Sequence, residues 1–190
     1  MYKYSYEIPI QMSMQDRLPL TDEHGNVHCY VKKRKPRIST RIANNLFSFT
    51  LNYCYEVVDQ NDKNMYSINA LKYHLKLDYM LTTPLQKIVL KRMREQLIES
   101  KYTWQDNSDT YLFFQHYTAE ARLIKNDEEI ATVKLADPRN SDGSDTVIIT
   151  LLKEDDVNLA ALAAVLYHSL YHYNRYDSSL LGKSTSLLNF

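Results

Sequence analysis

Apolar and polar residues alternate along much of this chain. Tyr2, Tyr4, Tyr6, Ile8 and Ile10 interleave with Lys3, Ser5, Glu7 and Pro9, a period of two that turns one set of side chains to a core and the other to water. That pattern predicts a strand. Leu71, Tyr73, Leu75, Leu77, Tyr79 and Leu81 repeat it against Lys72, His74, Lys76 and Asp78, with Met80 as the apolar residue on the polar side, and predict one strand across the whole run. Short turns rich in Asp and Asn separate the other apolar runs, at Asp22 to Asn26, Asp59 to Asn64, Gln105 to Asp109 and Lys125 to Glu128. Each reads as a hairpin. Thr146 to Leu152, TVIITLL, supplies a last strand rich in β-branched residues. With runs of ordinary strand length, roughly ten to twelve strands are expected, and Ser39 to Leu46 reads as a short helix.

The alternation stops at DDVNLAALAAVLYHSLYHYNR, Asp155 to Arg175. From Val157 to Tyr173 there is no Gly or Pro, and Asp155 or Asp156 offers an N-cap oxygen and a favourable charge at the positive end of the helix dipole. Leu159, Leu162, Leu166 and Leu170 form one stripe, while Ala160, Ala161, Ala163 and Ala164 keep the other faces apolar. A helix without a polar face is buried or spans a membrane. Spanning needs about 20 apolar residues, and the uninterrupted run ends at Tyr167. A meander of strands closes into a barrel to hide its edges, and this helix is expected inside it, emerging after Tyr167. The expected fold is therefore mainly β, a closed antiparallel β-barrel of about twelve strands around one buried C-terminal hydrophobic helix. The barrel domain is expected over residues 1–176 with its central helix at 156–173, followed by a tail at 177–190 that is either a loose end or a docked peptide.

Composition narrows the function. With 23 Lys and Arg against 23 Asp and Glu over 190 residues, no global field draws the chain to an anionic polymer or bilayer, so attraction must be local. Gly25, Gly143 and Gly182 stand alone, which excludes glycine-rich phosphate loops. Two cysteines, Cys29 and Cys54, do not make a disulfide framework, and MYKYSYEIPI lacks the apolar core of a signal peptide, so a cytoplasmic location is expected. Sixteen tyrosines suit half-buried strands.

The strand, acidic pair and apolar helix of DTVIITLLKEDDVNLAALAAVLYHSL, preceded by the alternating LIKNDEEIATVKL and by the Asp-turn hairpins, resembles the superfamily of tubby C-terminal-like, LURP-one-related and phospholipid scramblase domains. The resemblance extends over Leu18 to Tyr173 and implies the same barrel around a helix. No complete phosphoinositide-binding motif aligns, and the short chain is similar to the small bacterial members.

The densest local charge is KKRKPR, with Lys32, Lys33, Arg34, Lys35 and Arg37, and Arg41 follows closely. Lys91, Arg92 and Arg94 form a second cluster. Such runs attract anionic phospholipid or a nucleic-acid backbone, or simply protect a strand end from aggregation. His168 and His172 share a helix face at a spacing that suits a metal, but no third ligand lies at a recognisable spacing and residue 169 is Ser, so no metal site is expected. Cys54 reads as a buried inert thiol, Trp104 as core, and Asp155 and Asp156 as caps. No nucleophile, base and orienting group assemble, so neither an enzyme nor a cofactor is expected. The expected function is a binding or adaptor module. Its partner would be an anionic membrane surface, a phosphoinositide-like headgroup or a protein. Nucleic-acid association and a structural, oligomerising role are the alternatives. If the two basic clusters share one side of the barrel, the binding reading gains.

Overall fold

The structure, a computed structural model, describes residues 1–10, 12–34, 54–73, 76–94, 100–115, 120–136 and 143–172. The expected helix at Ser39 to Leu46, the tail at 177–190, and Lys35, Arg37 and Arg41 lie outside these residues. The chain forms β1 (Tyr2–Ile8), β2 (Arg17–Asp22), β3 (Val27–Arg34), β4 (Cys54–Asp59), β5 (Asn64–Tyr73) and β6 (Lys76–Thr82). These are followed by β7 (Lys87–Arg94), β8 (Ser100–Asp106), β9 (Asp109–Gln115), β10 (Ala121–Lys125), β11 (Glu128–Leu135) and β12 (Asp145–Leu151). Helix α1 (Val157–Tyr167) comes last and ends in a π-helical turn, His168–His172.

The twelve strands close into one antiparallel barrel in chain order, with β1 sealing against β12 from Tyr2 opposite Leu151 to Ile8 opposite Asp145. Odd strands therefore run one way and even strands the other, which gives the barrel two unlike ends. At the turn end the links are short, and side chains of Asp and Asn fasten them. Asp22 Oδ1 accepts from the backbone N–H groups of His24 and Asn26, and Asp59 Oδ1 accepts from those of Asn61 and Lys63. Asn126 and Asp127 both adopt positive φ, 50° and 64°, the geometry that joins β10 to β11 in two residues. At the opposite end, called the mouth below, the odd strands finish; the links from β1, β3, β7, β9 and β11 are longer, and β5 passes to β6 within two residues.

α1 begins at the turn end, where Asp156 caps it by accepting from Asn158 N–H at 2.8 Å. Asp155 does different work, accepting from the Tyr4 hydroxyl on β1 at 2.5 Å. From there the helix runs inside the barrel against β3, β4, β5, β11 and β12. Ala160 to Tyr167 are all buried. The four alanines let the strands approach its axis, while Leu162 and Leu166 join one core with inward side chains of the wall, among them Val57, Phe113, Leu123, Val133 and Ile149. The outward positions carry charge instead, including Lys3, Glu7, Arg17, Lys91 and Lys134. That is the reverse of a lipid-facing barrel. Among the described residues, no helix is long and apolar enough to cross a membrane.

Two expectations are corrected. Leu71 to Leu81 is not one strand: β5 and β6 meet as a hairpin, with Leu71 opposite Asp78, Lys72 opposite Leu77 and Tyr73 opposite Lys76. Opposed residues share a face, so the apolar parity of β6 does not continue into β5. Nor does the helix emerge after Tyr167, because His168, Ser169 and Leu170 are buried as well. Aromatic rings account for this. His168 packs edge-on to Tyr55 at 4.3 Å, and Tyr171 lies 5.4 Å from Phe113 and 6.1 Å from Tyr102.

Leu166→Ala and Leu162→Ala each empty part of the lumen, so each is expected to destabilise the fold by about 2–5 kcal/mol. Leu166→Ala should cost more, since Leu166 is fully enclosed and Leu162 retains slight exposure. Thermal unfolding monitored by circular dichroism measures both, and unchanged midpoints would place the helix outside the barrel.

Candidate functional site

The two basic runs lie at the same end of the barrel. β3 and β7 are both odd strands, so Lys32 to Arg34 and Lys91 to Arg94 all sit towards the mouth. They are four strand positions apart in a barrel of twelve, about a third of the circumference. Register divides each run between two faces. Lys33 pairs with Tyr55 and follows Val31, and Arg92 pairs with Tyr102 and follows Leu90, so both share the register of the core at the rim. Lys32, Arg34 and Lys91 alternate with them and lie outside. Partial burial draws the Lys33 ammonium pKa down from its usual value, as expected at a rim.

The outer charges of β3 are already countered. Arg17 and Lys32 are cross-strand neighbours and would repel, but Asp62 Oδ1 accepts from both, at 2.5 Å from Arg17 and 3.1 Å from Lys32. Those bonds, led by Lys32, hold the Asp62 carboxyl below its ordinary range. Arg34 Nε lies 3.7 Å from Glu56. On β7, Lys87 and Lys91 are exposed and have no such partner among the described residues.

Beneath the rim the floor is aromatic and partly polar. His168 stands between Tyr55 and Tyr6, and burial pushes the Tyr6 hydroxyl pKa well above its usual value, with Tyr167 and Tyr55 adding to the rise. The hydroxyls of Tyr6 and Ser169 are buried there with no hydrogen-bond partner among the described residues. At the other end, Tyr2, Lys3, Tyr4, Asp22, Glu23, His24 and Asp155 line a cleft of about 70 Å³. Asp22 there bonds the His28 ring at 3.0 Å and the Asn26 side chain at 2.9 Å. These bonds, His28 first, hold its carboxyl far below the usual range. The Tyr4 hydroxyl pKa is raised, chiefly by burial and then by its bond to Asp155.

A family model described as Tubby C-terminal like domain matches residues 4–173. The chain belongs to that family. No curated protein and no solved structure matches it significantly. The match runs through all twelve strands of the tubby-like barrel, its helix and the π turn.

The remaining candidates in the tubby-like domain take structural positions. Cys29 and Cys54 are both buried and form no disulfide, and burial raises the Cys29 thiol to about 12, far from thiolate reactivity. Trp104 is core and stacks on Tyr111 at 5.1 Å. Among the described residues, no three His, Cys, Asp or Glu side chains converge as a metal site would require. The sequence reading missed the outer face of β7, where Val89 and Met93 are exposed beside Lys87 and Lys91. KIVLKRMR is apolar at both parities, so only the register, with Tyr79 opposite Leu90 and Met80 opposite Val89, separates the faces.

Tyr4 and Tyr6 occupy one face of β1 with opposite bonding. Tyr4→Phe deletes a bond to a carboxylate and should destabilise by about 1.5 kcal/mol, whereas Tyr6→Phe removes an unpartnered buried hydroxyl and should leave stability unchanged or raise it by about 1 kcal/mol. Denaturant unfolding of the two variants tests the contrast.

Asp22 gives a pH dependence. Its folded pKa is depressed, so its charge stabilises the fold above the unfolded carboxylate value of about 4 and ceases to do so as pH falls through the folded value. Asp22→Asn should therefore melt below the parent at pH 7, with the gap closing as pH falls below about 4. A pH-independent gap would deny the carboxylate its role.

Proposed function

We propose that this chain is a non-catalytic binding module that attaches peripherally to anionic phospholipid through basic side chains at the mouth of its barrel. The observation that carries this reading is that two basic runs, distant in sequence, both lie towards one end of the barrel in a protein with zero formal net charge, about a third of its circumference apart. Each basic residue near an anionic bilayer contributes about 1 kcal/mol, so a handful acting together gives useful but reversible attachment. Because the charges are exposed, salt screens them over a Debye length of about 10 Å at 0.1 M. The family is consistent with a module that binds rather than converts its ligand, and the closed barrel supports this by offering side chains but no strand edge to a partner.

Replacing Lys32, Lys33, Arg34 and Lys35 together by Gln is expected to abolish co-sedimentation with vesicles containing anionic lipid. The melting temperature should hardly move, since the exposed pairs with Asp62 and Glu56 add little to stability. Parent protein that ignores anionic vesicles at low salt, or a neutralised variant that binds as well as the parent, would overturn the reading. Binding to duplex and single-stranded nucleic acid with lipid ignored would replace it with nucleic-acid association.

A further inference from the structure

The outer face of β7 is the one stretch of described barrel wall where exposed apolar side chains and uncountered lysines alternate. Val89 is 52% and Met93 41% exposed, and Leu85, in the turn before the strand, is 88% exposed. Lys87 and Lys91 stand between them, also exposed and without an ion-pair partner among the described residues. Met80 lies opposite Val89 on β6 and widens the strip. Several other wall cations come with carboxylates, as Arg17 and Lys32 do with Asp62, Arg34 with Glu56, and Arg122 with Glu120 and Glu129. Lys134 on β11, which also lacks an ion pair among the described residues, has no exposed apolar side chain alternating with it on its strand.

We infer that this face is the surface that enters the bilayer, with Leu85, Val89 and Met93 inserting among the acyl chains while Lys87 and Lys91 pair with anionic headgroups beside them. This rests on the proposed phospholipid attachment and extends it from the mouth, where Lys91 and Met93 lie, along the β7 wall to Lys87 and Leu85 at the turn end. Charge complementarity selects the occupant. A second copy would bring the same two lysines against themselves, and β7 itself carries no carboxylate to receive them. A nucleic-acid backbone would satisfy the lysines and leave the apolar side chains in water. An anionic leaflet satisfies both, because its headgroup layer carries the negative charge and the hydrocarbon lies directly beneath. The spacing helps too, since alternate residues on one strand face project side by side, and lysine stems reach upward from an inserted strand to the headgroups.

The test uses vesicles of phosphatidylcholine alone and of phosphatidylcholine with phosphatidylserine. Val89→Ser with Met93→Ser keeps every cation, and is expected to lower partition onto the anionic vesicles by about tenfold or more, since each apolar side chain loses its transfer into hydrocarbon. An environment-sensitive fluorophore on Val89→Cys should shift to the blue with those vesicles. The same label on Ser5→Cys should not, because β1 lies six strands away on the opposite side of the barrel. Cys29 and Cys54 are buried and add little background.

If the parent binds anionic vesicles while the double serine variant binds equally and the Val89 label stays unshifted, this inference fails and the attachment reading stands. If the parent does not bind, both fail together. A blue shift that appears without vesicles and grows with protein concentration would assign the face to a second copy and overturn the inference.

Discussion

A barrel of twelve strands has an interior that must be filled. Eight strands leave a lumen that their own side chains can close, whereas twelve leave space for a rod of further atoms. α1 is that rod, and the rest of the molecule follows from it. A helix apolar on every side has no stable place in water, and a wide barrel without one would hold a void that interiors packed like organic crystals do not contain. Strands and helix thus require each other. The alanines at 160, 161, 163 and 164 set how closely the wall approaches, and Leu162 and Leu166 occupy what remains.

The helix also makes the two ends unlike. It is capped by Asp156 and tied through Asp155 to β1 at the end where every hairpin is short, so that end is fastened by hydrogen bonds. It finishes at the mouth among tyrosine and histidine rings, where fit is looser in kind. Tyr6 and Ser169 bury hydroxyls there without described partners, and the backbone departs from α-helical spacing into a π turn. Such bulges are disproportionately found where function needs a local departure from regularity. The basic runs flank this end rather than the fastened one.

Much of this was legible in the sequence for a local reason. A turn such as Asp22 to Asn26 is written in its own side chains, because Asp22 bonds the backbone two and four residues on, and the same device recurs at Asp59. The helix was legible because its composition left it one place to go. Leu71 to Leu81 was misread because period-two alternation records parity and not direction, and a tight hairpin can continue the parity of the sequence while reversing the face of the sheet. The candidate site was less legible still. Lys32 and Lys33 are adjacent in sequence but opposite in register, and nothing local to them shows that Asp62, a turn residue thirty positions later, neutralises one of them.

A chain with equal numbers of acids and bases can still present strong local charge if pairing is uneven, and here it is. In the run densest in cations along the sequence, Lys32 and Arg34 face the carboxylates of Asp62 and Glu56 on the folded wall, while the sparser β7 keeps Lys87 and Lys91 uncountered among the described residues. Counting charges along a chain therefore does not tell which of them the fold pairs. Closure sharpens the consequence. With no free edge, the wall cannot recruit a partner by adding a strand, so recognition must come from side chains that face outward or ring the mouth. Most outward side chains are countered charges or polar groups that water already satisfies. Val89 and Met93 are not satisfied by water, and Lys87 and Lys91 beside them have no ion-pair partner among the described residues. A partner that offers hydrocarbon and negative charge in adjacent layers meets both needs at once.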